Sequence, residues 1–129
     1  MATHVGTSGV VKVGTDTVAE VTGFTIDETN DTVEDTSLTD TSKTYKALRS
    51  DATGTIECHW DETDTSGQGA LTVGASVTLN LYPEGADSAD TYYTGSAIVT
   101  GVSQNVSLDG VIARTITVQF SGGVSTTTV

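Results

Sequence analysis

The sequence predicts a mainly β fold: a β-sandwich or small barrel of two packed antiparallel sheets, with one short flanking α-helix and a long loop arm. Three observations lead to this prediction. Several runs alternate apolar and polar residues with period two, which is typical of strands with one buried face. Threonine is abundant, and its branched Cβ favours strands over helices. Strand-like runs dominate, and only residues 68–71 carry helix-type signals.

The stretch from residue 54 to 85 is expected to form the centre of the core. Its strands 54–61 and 75–82 each alternate apolar and polar residues, and Pro83 ends the second because proline cannot continue the ladder. The only Trp, the only Cys and the only Pro of the chain lie in this stretch. The same alternation in the flanking strands completes the predicted core, which consists of Phe24, Ile26, Ile56, Cys58, Trp60, Leu79, Leu81, Ile116, Val118 and Phe120.

Shorter signals mark the connections between strands. Residues 64–66 offer an N-cap for the short helix, although two glycines lower its intrinsic stability. Gly23 marks a bulge, and Asp109-Gly110 is a two-residue hairpin signal. Residues 121–129 form a Gly/Thr-rich tail that is expected to be flexible.

The alternation fails between residues 28 and 46, where the chain is acidic and polar. We interpret residues 28–50 as an arm, in which strand ends leave the sandwich and are joined by a long loop; such loops are commonly functional or disordered. Three of the five bases lie there, which indicates contact with an acidic surface of another copy. The alternative is that they only keep the loop soluble. The candidate inter-subunit residues are Leu38, Lys43, Tyr45, Lys46 and Arg49.

The bulk composition describes one small domain with a thin core. A single domain of 129 residues buries roughly two-thirds of its unfolded surface. Only 36% of the residues are hydrophobic and 5% aromatic, so assembly with other copies is expected to add burial. The net charge of −12 disfavours gripping nucleic acid or an anionic membrane, and its simplest interpretation is solubility.

The sequence carries no signal for secretion or membrane insertion. Residues 1–4 lack a basic and an apolar segment, and no apolar run approaches the ~20 residues of a membrane span. One cysteine excludes an internal disulfide. We therefore expect a chain that is made and kept soluble in the cytoplasm, without membrane anchoring.

No constellation of catalytic quality is found. Cys58 and His59 are neighbours on a strand, so their side chains point to opposite faces and cannot form a dyad. Together with His4 they fall short of the roughly four ligands that zinc needs. The acidic runs 27–31 and 61–64 lack the spacing of a calcium loop, and the few aromatics argue against a glycosidase cleft. We expect no enzyme, no cofactor and no metal.

Several segments resemble the major tail tube proteins of bacteriophages with long, non-contractile tails. The resemblance covers most of the chain and rests on structural rather than catalytic motifs. The segment that is similar to the long loop of those proteins is DTVEDTSLTDTSKTY (31–45). The other segments are GTIECHWDETD (54–64), QGAL (68–71), LNLYPEG (79–85) and TYYTG (91–95), the last followed by a long strand pair.

That resemblance implies a β-sandwich with a flanking helix, six copies to a ring, and rings stacked into a hollow tube that conducts DNA into the host. The implied partners are other copies of the chain, a tape-measure protein, tail-tip and tail-terminator proteins, and DNA that passes without specific binding. The implied location is the tail of a virion assembled in the host cytoplasm. The resemblance also implies kinship with the tube protein of type VI secretion, and we expect no added immunoglobulin-like domain after residue 129.

In a closed ring one polar sheet face must line the lumen, because the apolar face is used in the core. The candidates are the outward positions of the two strands that flank the arm: Thr25, Asp27, Thr29, Thr55, Glu57 and His59. An acidic lining would repel the phosphates of DNA and leave no deep trap along the path. The alternative is that these acids face solvent on the outside of the tube.

Two other functions stay open at this point. One is an immunoglobulin-like adhesin or carbohydrate-binding module, which needs exposed aromatics on one face; Tyr92 and Tyr93 point to opposite faces and make no such platform. The other is a capsid-decoration or head-completion protein. The sequence does not determine ring symmetry, tube length, strand order, host or the presence of a contractile sheath.

Overall fold

The computed structural model describes residues 9–85, 88, 90–108 and 110–129. Across these residues the chain forms one antiparallel sheet in the order β2-β1-β5-β6-β7-β4-β3. The mainly β prediction is confirmed, although the strands make one continuous sheet and the flanking helix is a single 3₁₀ turn, Gln68–Ala70. The strands are β1 (Val10–Val13), β2 (Asp16–Thr17), β3 (Val21–Glu34), β4 (Tyr45–His59), β5 (Ser76–Tyr82), β6 (Thr91–Asn105) and β7 (Ala113–Thr128).

The sheet curls around one hydrophobic core, so that β1 and β3, far apart in the strand order, come into contact. Seven of the predicted core residues are buried in a single cluster: Ile56, Cys58, Leu79, Leu81, Ile116, Val118 and Phe120. Phe24 and Ile26 pack against this cluster but stay partly exposed, because β3 is an edge strand with a neighbour on one side only. Val11, Leu71 and Val99 complete the centre of the core.

Trp60 is the exception, and the prediction that it lies in the core is wrong. Its side chain is 39% exposed. The last paired row of β4 is His59 opposite Ala113, and the Trp60 N–H donates to the Ile112 carbonyl beyond that row, at 2.9 Å. The alternation of apolar and polar residues along β4 continues beyond the edge of the core. Trp60 therefore has the same place in the alternation as Cys58, but its indole is not buried.

β3 and β4 pair far beyond the core, from Val21 opposite Cys58 to Glu34 opposite Tyr45. Most of the predicted loop arm is therefore strand, and the loop itself spans only residues 35–44. Within the arm, both faces of this ladder are exposed. Apolar alternation reports the burial of one face, and it is lost where neither face is buried even though the backbone remains paired.

The C-terminal residues are also paired, so the prediction of a flexible tail over 121–129 is wrong. β7 continues to Thr128, which lies opposite Thr91 at the start of β6. Gly122 has a φ of 86°, a left-handed conformation that favours glycine, where the register between β6 and β7 shifts. The predicted bulge at Gly23 is present, whereas Asp109 of the hairpin signal and His4 lie outside the described residues.

Candidate assembly surfaces

The arm, residues 28–50, is a two-stranded ribbon that projects from one end of the sheet. There β4 has only β3 as a partner, because its pairing with β7 ends at Thr53. The part of β3 inside the arm extends it by roughly 20 Å at about 3.3 Å per residue. Gln119 braces the base of the arm, because its Nε2 donates to Asp51 Oδ1 at 2.6 Å and to the Ala52 carbonyl at 2.9 Å.

Hydrogen bonds within the loop close the end of the arm. The Asp35 N–H donates to the Thr44 carbonyl at 3.0 Å. The Ser37 N–H donates to Asp40 Oδ2 at 2.8 Å, and the Asp40 N–H donates to the Ser37 carbonyl at 3.1 Å. This is a turn held by a short polar side chain. Leu38 lies at its apex with its side chain fully exposed.

All the side chains predicted for inter-subunit contact are exposed, namely Leu38, Lys43, Tyr45, Lys46 and Arg49. On one face of the arm Val33 lies opposite Lys46, with Leu48 two residues further along β4. Lys46 Nζ is 3.9 Å from Asp35 Oδ2, an exposed ion pair that contributes little to stability. The arm thus presents apolar and basic groups together, and none of them is buried in the core of its own chain.

The outward face of the sheet is polar, and it carries the predicted lumen residues. Thr25 lies opposite Thr55, which in turn lies opposite Thr117 of β7. Asp27 and Glu57 are exposed on the same face, at different heights along their strands. Neither carboxylate forms an ion pair with another described residue.

The same face continues across β7 and β6, which the sequence analysis missed. Thr115 and Gln119 carry it onto β7, and Ser103 opposite Thr115 carries it onto β6. Parity along β7 could have been read from the sequence, but only the strand order places these residues beside Glu57. Outside the arm, the described outward positions of these four strands include acids and no Lys or Arg.

His59 lies at the margin of this face. The residue is partly buried, and its Nδ1 is buried without a hydrogen-bond partner among the described residues. Its backbone is held on both sides: the N–H donates to the Glu20 carbonyl at 2.9 Å, and the carbonyl accepts from Gln68 Nε2 at 2.8 Å. His59 therefore offers less surface to a lumen than the exposed positions Asp27 and Glu57.

Asp64 joins the segment after β4 to the connection between β2 and β3. Its carboxylate accepts the backbone N–H groups of Ala19 at 2.8 Å, Gly67 at 3.1 Å and Gln68 at 3.0 Å. Partial burial acts to raise the pKa of Asp64, but the three N–H donors outweigh it, so this pKa lies below its usual value. A Cβ at position 67 would collide with the carboxylate, which explains the glycine there.

Gln68 completes this attachment from inside the protein. Its side chain is buried, and its Nε2 donates to the carbonyls of Ala19 and His59, both at 2.8 Å. Its Oε1 accepts the Asp61 N–H at 3.0 Å. These bonds fix the backbone on either side of Trp60. The sequence signalled Asp64 as a helix cap but gave no sign that Gln68 is buried.

The described residues contain no group of three or more His, Cys, Asp or Glu side chains placed to hold a metal. Burial raises the pKa of the Cys58 thiol, an effect that the Arg114 guanidinium opposes and the Asp64 carboxylate reinforces. No helix in the described part of the chain is long and apolar enough to span a membrane.

The aromatic side chains do not form an exposed platform within the described residues. Tyr82 is buried and stacks on Tyr92 with ring centroids 4.5 Å apart, and Lys12 lies 5.2 Å from the centroid of Tyr82. The exposed aromatics, Tyr45 and Trp60, lie at opposite ends of β4. A flat carbohydrate-binding surface needs neighbouring exposed rings, so this arrangement disfavours that function.

Solved structures share this fold, although no family model and no curated protein matches the sequence. A chain in the tail of an empty gene transfer agent particle, determined with helical refinement and C6 symmetry, gives a TM-score of 0.77 at 17% identity, over 97% of this chain and 99% of that one. A chain of the tube-terminating cap of the anti-feeding prophage gives 0.76 at 13% identity, over 100% and 93%. A chain of the SPP1 tail tube gives 0.72 at 8% identity, over 98% and 80%. The tail tube fold implied by the sequence resemblance is confirmed.

Proposed function

We propose that this chain is a structural protein of a tail tube, in which six copies close into a ring and rings stack into a hollow conduit for DNA. The observation that carries the proposal is the likeness to a chain in a tail determined with helical refinement and C6 symmetry. Because the match covers 97% of this chain, it includes the arm as well as the curled sheet. The role is mechanical rather than catalytic.

The proposed partners follow from that role. Other copies of the chain surround each subunit within the ring and along the tube, and a tape-measure protein occupies the lumen during assembly. Tail-tip and tail-terminator proteins meet the two ends of the tube, in the tail of a virion assembled in the host cytoplasm. The likeness to a tube-terminating cap supports an end partner that has the same fold.

The arm is proposed to bridge subunits. It leaves Leu38 fully exposed and Val33 and Leu48 about half exposed in their own chain. A two-stranded ribbon is only marginally stable by itself in water. Its apolar side chains and its three bases, Lys43, Lys46 and Arg49, are therefore assigned to contacts with other copies.

The polar sheet face is proposed to line the lumen. Its outward positions are Thr25, Asp27, Thr29, Thr55 and Glu57, with His59 at the margin. Repetition around a ring would place Asp27 and Glu57 in circles of negative charge. DNA carries one charge about every 1.7 Å of its axis, so a lining without bases would not hold it in place.

A tube terminator is a second candidate function, because a tube-terminating cap has the same fold. A terminator would form one closed ring that stops growth, whereas a tube protein would add ring upon ring. The two functions therefore differ in the length of the polymer that the purified chain makes alone or on a preformed tube end.

Size-exclusion chromatography and negative-stain electron microscopy of the purified chain test the proposal. We expect polymers with a central hole, whose end views show six subunits. Isolated rings that never lengthen would favour the terminator. A monomer that persists at high concentration, and on addition of a tape-measure protein, would contradict both functions.

A further inference from the structure

The two ends of β4 carry exposed apolar side chains of different kinds. The arm at the Tyr45 end presents Val33, Leu38 and Leu48. At the His59 end a second set is exposed, which we call the turn patch: Trp60, Val106, Leu108 and Val111. At about 3.3 Å per residue, β4 separates the two sets by roughly 45 Å. The apolar residues of the arm therefore cannot cover the turn patch of the same chain.

The order and register of the strands bring the residues of the turn patch to the same end of the sheet. The Trp60 N–H donates to the carbonyl of Ile112, the neighbour of Val111. Asn105 at the end of β6 lies opposite Ala113 at the start of β7, so Val106 and Val111 both lie in the connection that follows this last pair. Trp60, Val106 and Val111 therefore lie at the same end of three neighbouring strands, just beyond the last paired residues of β4, β6 and β7.

The charges of the two ends also differ. The arm holds three of the chain's five bases and five of its seventeen acids, so the rest of the chain holds two bases and twelve acids. Acids lie close to the turn patch: Asp61 and Glu62 follow Trp60 in the chain, and the backbone of Glu20 is bonded to that of His59. Lys43 and Arg49 are exposed and form no ion pair with another described residue.

We propose that the turn patch is the docking site for the arm of a second copy in the next ring. The apolar residues of the arm cover Trp60, Val106, Leu108 and Val111, while its bases approach Asp61 and Glu62. Because each chain carries the arm at one end and the patch at the other, the contact is heterologous, the type that can continue from ring to ring along a tube. This inference rests on the proposed tube function and names the surface that receives the arm.

Two structural features fit the patch for that role. The bonds of Gln68 fix the backbone on both sides of Trp60, so the point from which the indole projects is set before a partner arrives. An exposed Trp in a polar, acidic border has the composition of a protein contact, since tryptophan is enriched at the centres of interfaces.

Trp60 is the only tryptophan of the chain, so its fluorescence reports the contact directly. We expect its emission to shift to shorter wavelength, and its quenching by acrylamide to fall several-fold, when the full chain assembles from monomers into tubes seen by electron microscopy. Tubes in which both signals equal those of the monomer would overturn the docking site while leaving the tube function intact. Failure to form any polymer would count against both.

Cross-linking identifies what covers the patch. Leu38→Cys and Leu108→Cys place thiols on the two most exposed leucines, and Cys58 is buried in both variants. Under oxidation during assembly we expect a disulfide-linked dimer from the mixture of the two variants. The mixture of Leu38→Cys with Val73→Cys should give none. Equal yields from the two mixtures, or dimers only between identical variants, would contradict docking of the arm on the patch.

A pair of valines provides a matched control, because Val111 and Val73 are both 67% exposed and only Val111 belongs to the patch. Val111→Ser should raise the protein concentration needed for polymerisation several-fold, whereas Val73→Ser should leave it unchanged. Below the concentration at which they polymerise, both variants should be folded like the wild type, since neither side chain is buried. Equal effects of the two substitutions would overturn the proposal.

Discussion

The inner and outer halves of the β3–β4 ladder pair in the same way but have different surroundings. In the inner half, Ile56 and Cys58 are buried in the core and alternate with exposed or half-exposed polar residues. In the outer half, every residue from 45 to 51 on β4 is exposed. The backbone ladder runs through both halves, with one bulge at Gly23 in the inner half and one near Asn30 in the outer half.

Backbone pairing and burial of one face usually occur together in a strand, but along this ladder they occur separately. Pairing satisfies the backbone in both halves, but only the inner half buries apolar surface and so stabilises the fold. The outer half takes its shape from the inner half and from the bonds of its loop. Its side chains are therefore available for the proposed contacts with other copies, and substitutions should affect the two halves differently.

Truncation in the inner half should have the largest effect on stability. Ile56→Ala removes a buried side chain from the centre of the core, and we expect it to lower the free energy of unfolding by about 2–5 kcal/mol. Leu48→Ala in the outer half should change it by less than about 0.5 kcal/mol, because that side chain is exposed. Urea denaturation of the two monomeric variants measures the contrast. Comparable losses would mean that the arm packs on the core in solution.

The sequence predicts the inner half well and the outer half poorly, for one physical reason. Alternation records which face is buried, so it identifies Ile56, Cys58 and the strands of the core. Alternation does not indicate strand pairing where both faces of the strand are exposed to solvent, as in the arm and at residues 121–128. It also continues past the edge of the core, which made Trp60 look buried.

The candidate surfaces depend on strand order, which local patterns do not contain. The outward parity of Thr25, Asp27 and Glu57 can be read from the chain. Their union with Thr115 and Gln119 into one face requires β7 to lie beside β4. The burial of Gln68 could not be predicted from the sequence, because it depends on hydrogen bonds to the carbonyls of Ala19 and His59, which lie elsewhere in the chain.

Removal of the Asp64 charge should have the next largest effect on stability. Asp64→Asn places an amide N–H₂ where backbone N–H groups need an acceptor, and we expect a loss of roughly 1–2 kcal/mol at neutral pH. The pKa of Asp64 is lowered in the folded state, so its contribution is present above the unfolded value of about 3.9 and is lost as the pH falls below it.

The difference in stability between wild type and Asp64→Asn should therefore shrink as the pH falls below about 4, because the unfolded wild-type chain then binds a proton at Asp64 more readily than the folded protein does. Denaturation curves at a series of pH values measure it, and Asp27→Asn, an exposed carboxylate on the sheet face, is the control that should show no such difference. A gap between the two proteins that stays constant down to the lowest pH would contradict the role of the charge.

Shortening the arm should leave stability almost unchanged and abolish assembly. Deleting residues 38–42 leaves a five-residue loop, a length that hairpins accept. We expect a monomer with a free energy of unfolding within about 0.5 kcal/mol of wild type that forms no tubes. Circular dichroism and electron microscopy measure the two properties separately. Normal tubes from this variant would show that the tip of the arm is not an assembly element.

Reversal of charge on the polar sheet face should affect neither stability nor assembly, only transport. Asp27 and Glu57 are exposed and form no ion pair with another described residue, so replacing both with Lys breaks no contact within the chain. In a ring of six, the two substitutions would turn circles of negative charge into positive ones. Phosphates would then meet attractive sites along the path, with screening over roughly 8–10 Å confining each site to its own height in the tube.

We therefore expect particles carrying Asp27→Lys and Glu57→Lys to assemble normally but to deliver DNA slowly or incompletely, with delivery improving as added salt weakens the attraction. Asp27→Ser with Glu57→Ser is the matched control, because it removes the acids without adding bases and should stay close to wild type. DNA ejection measured in vitro against salt concentration tests the difference. Undiminished delivery by the lysine variant would show that this face does not line the lumen, and its acids would then belong to the outer surface of the tube.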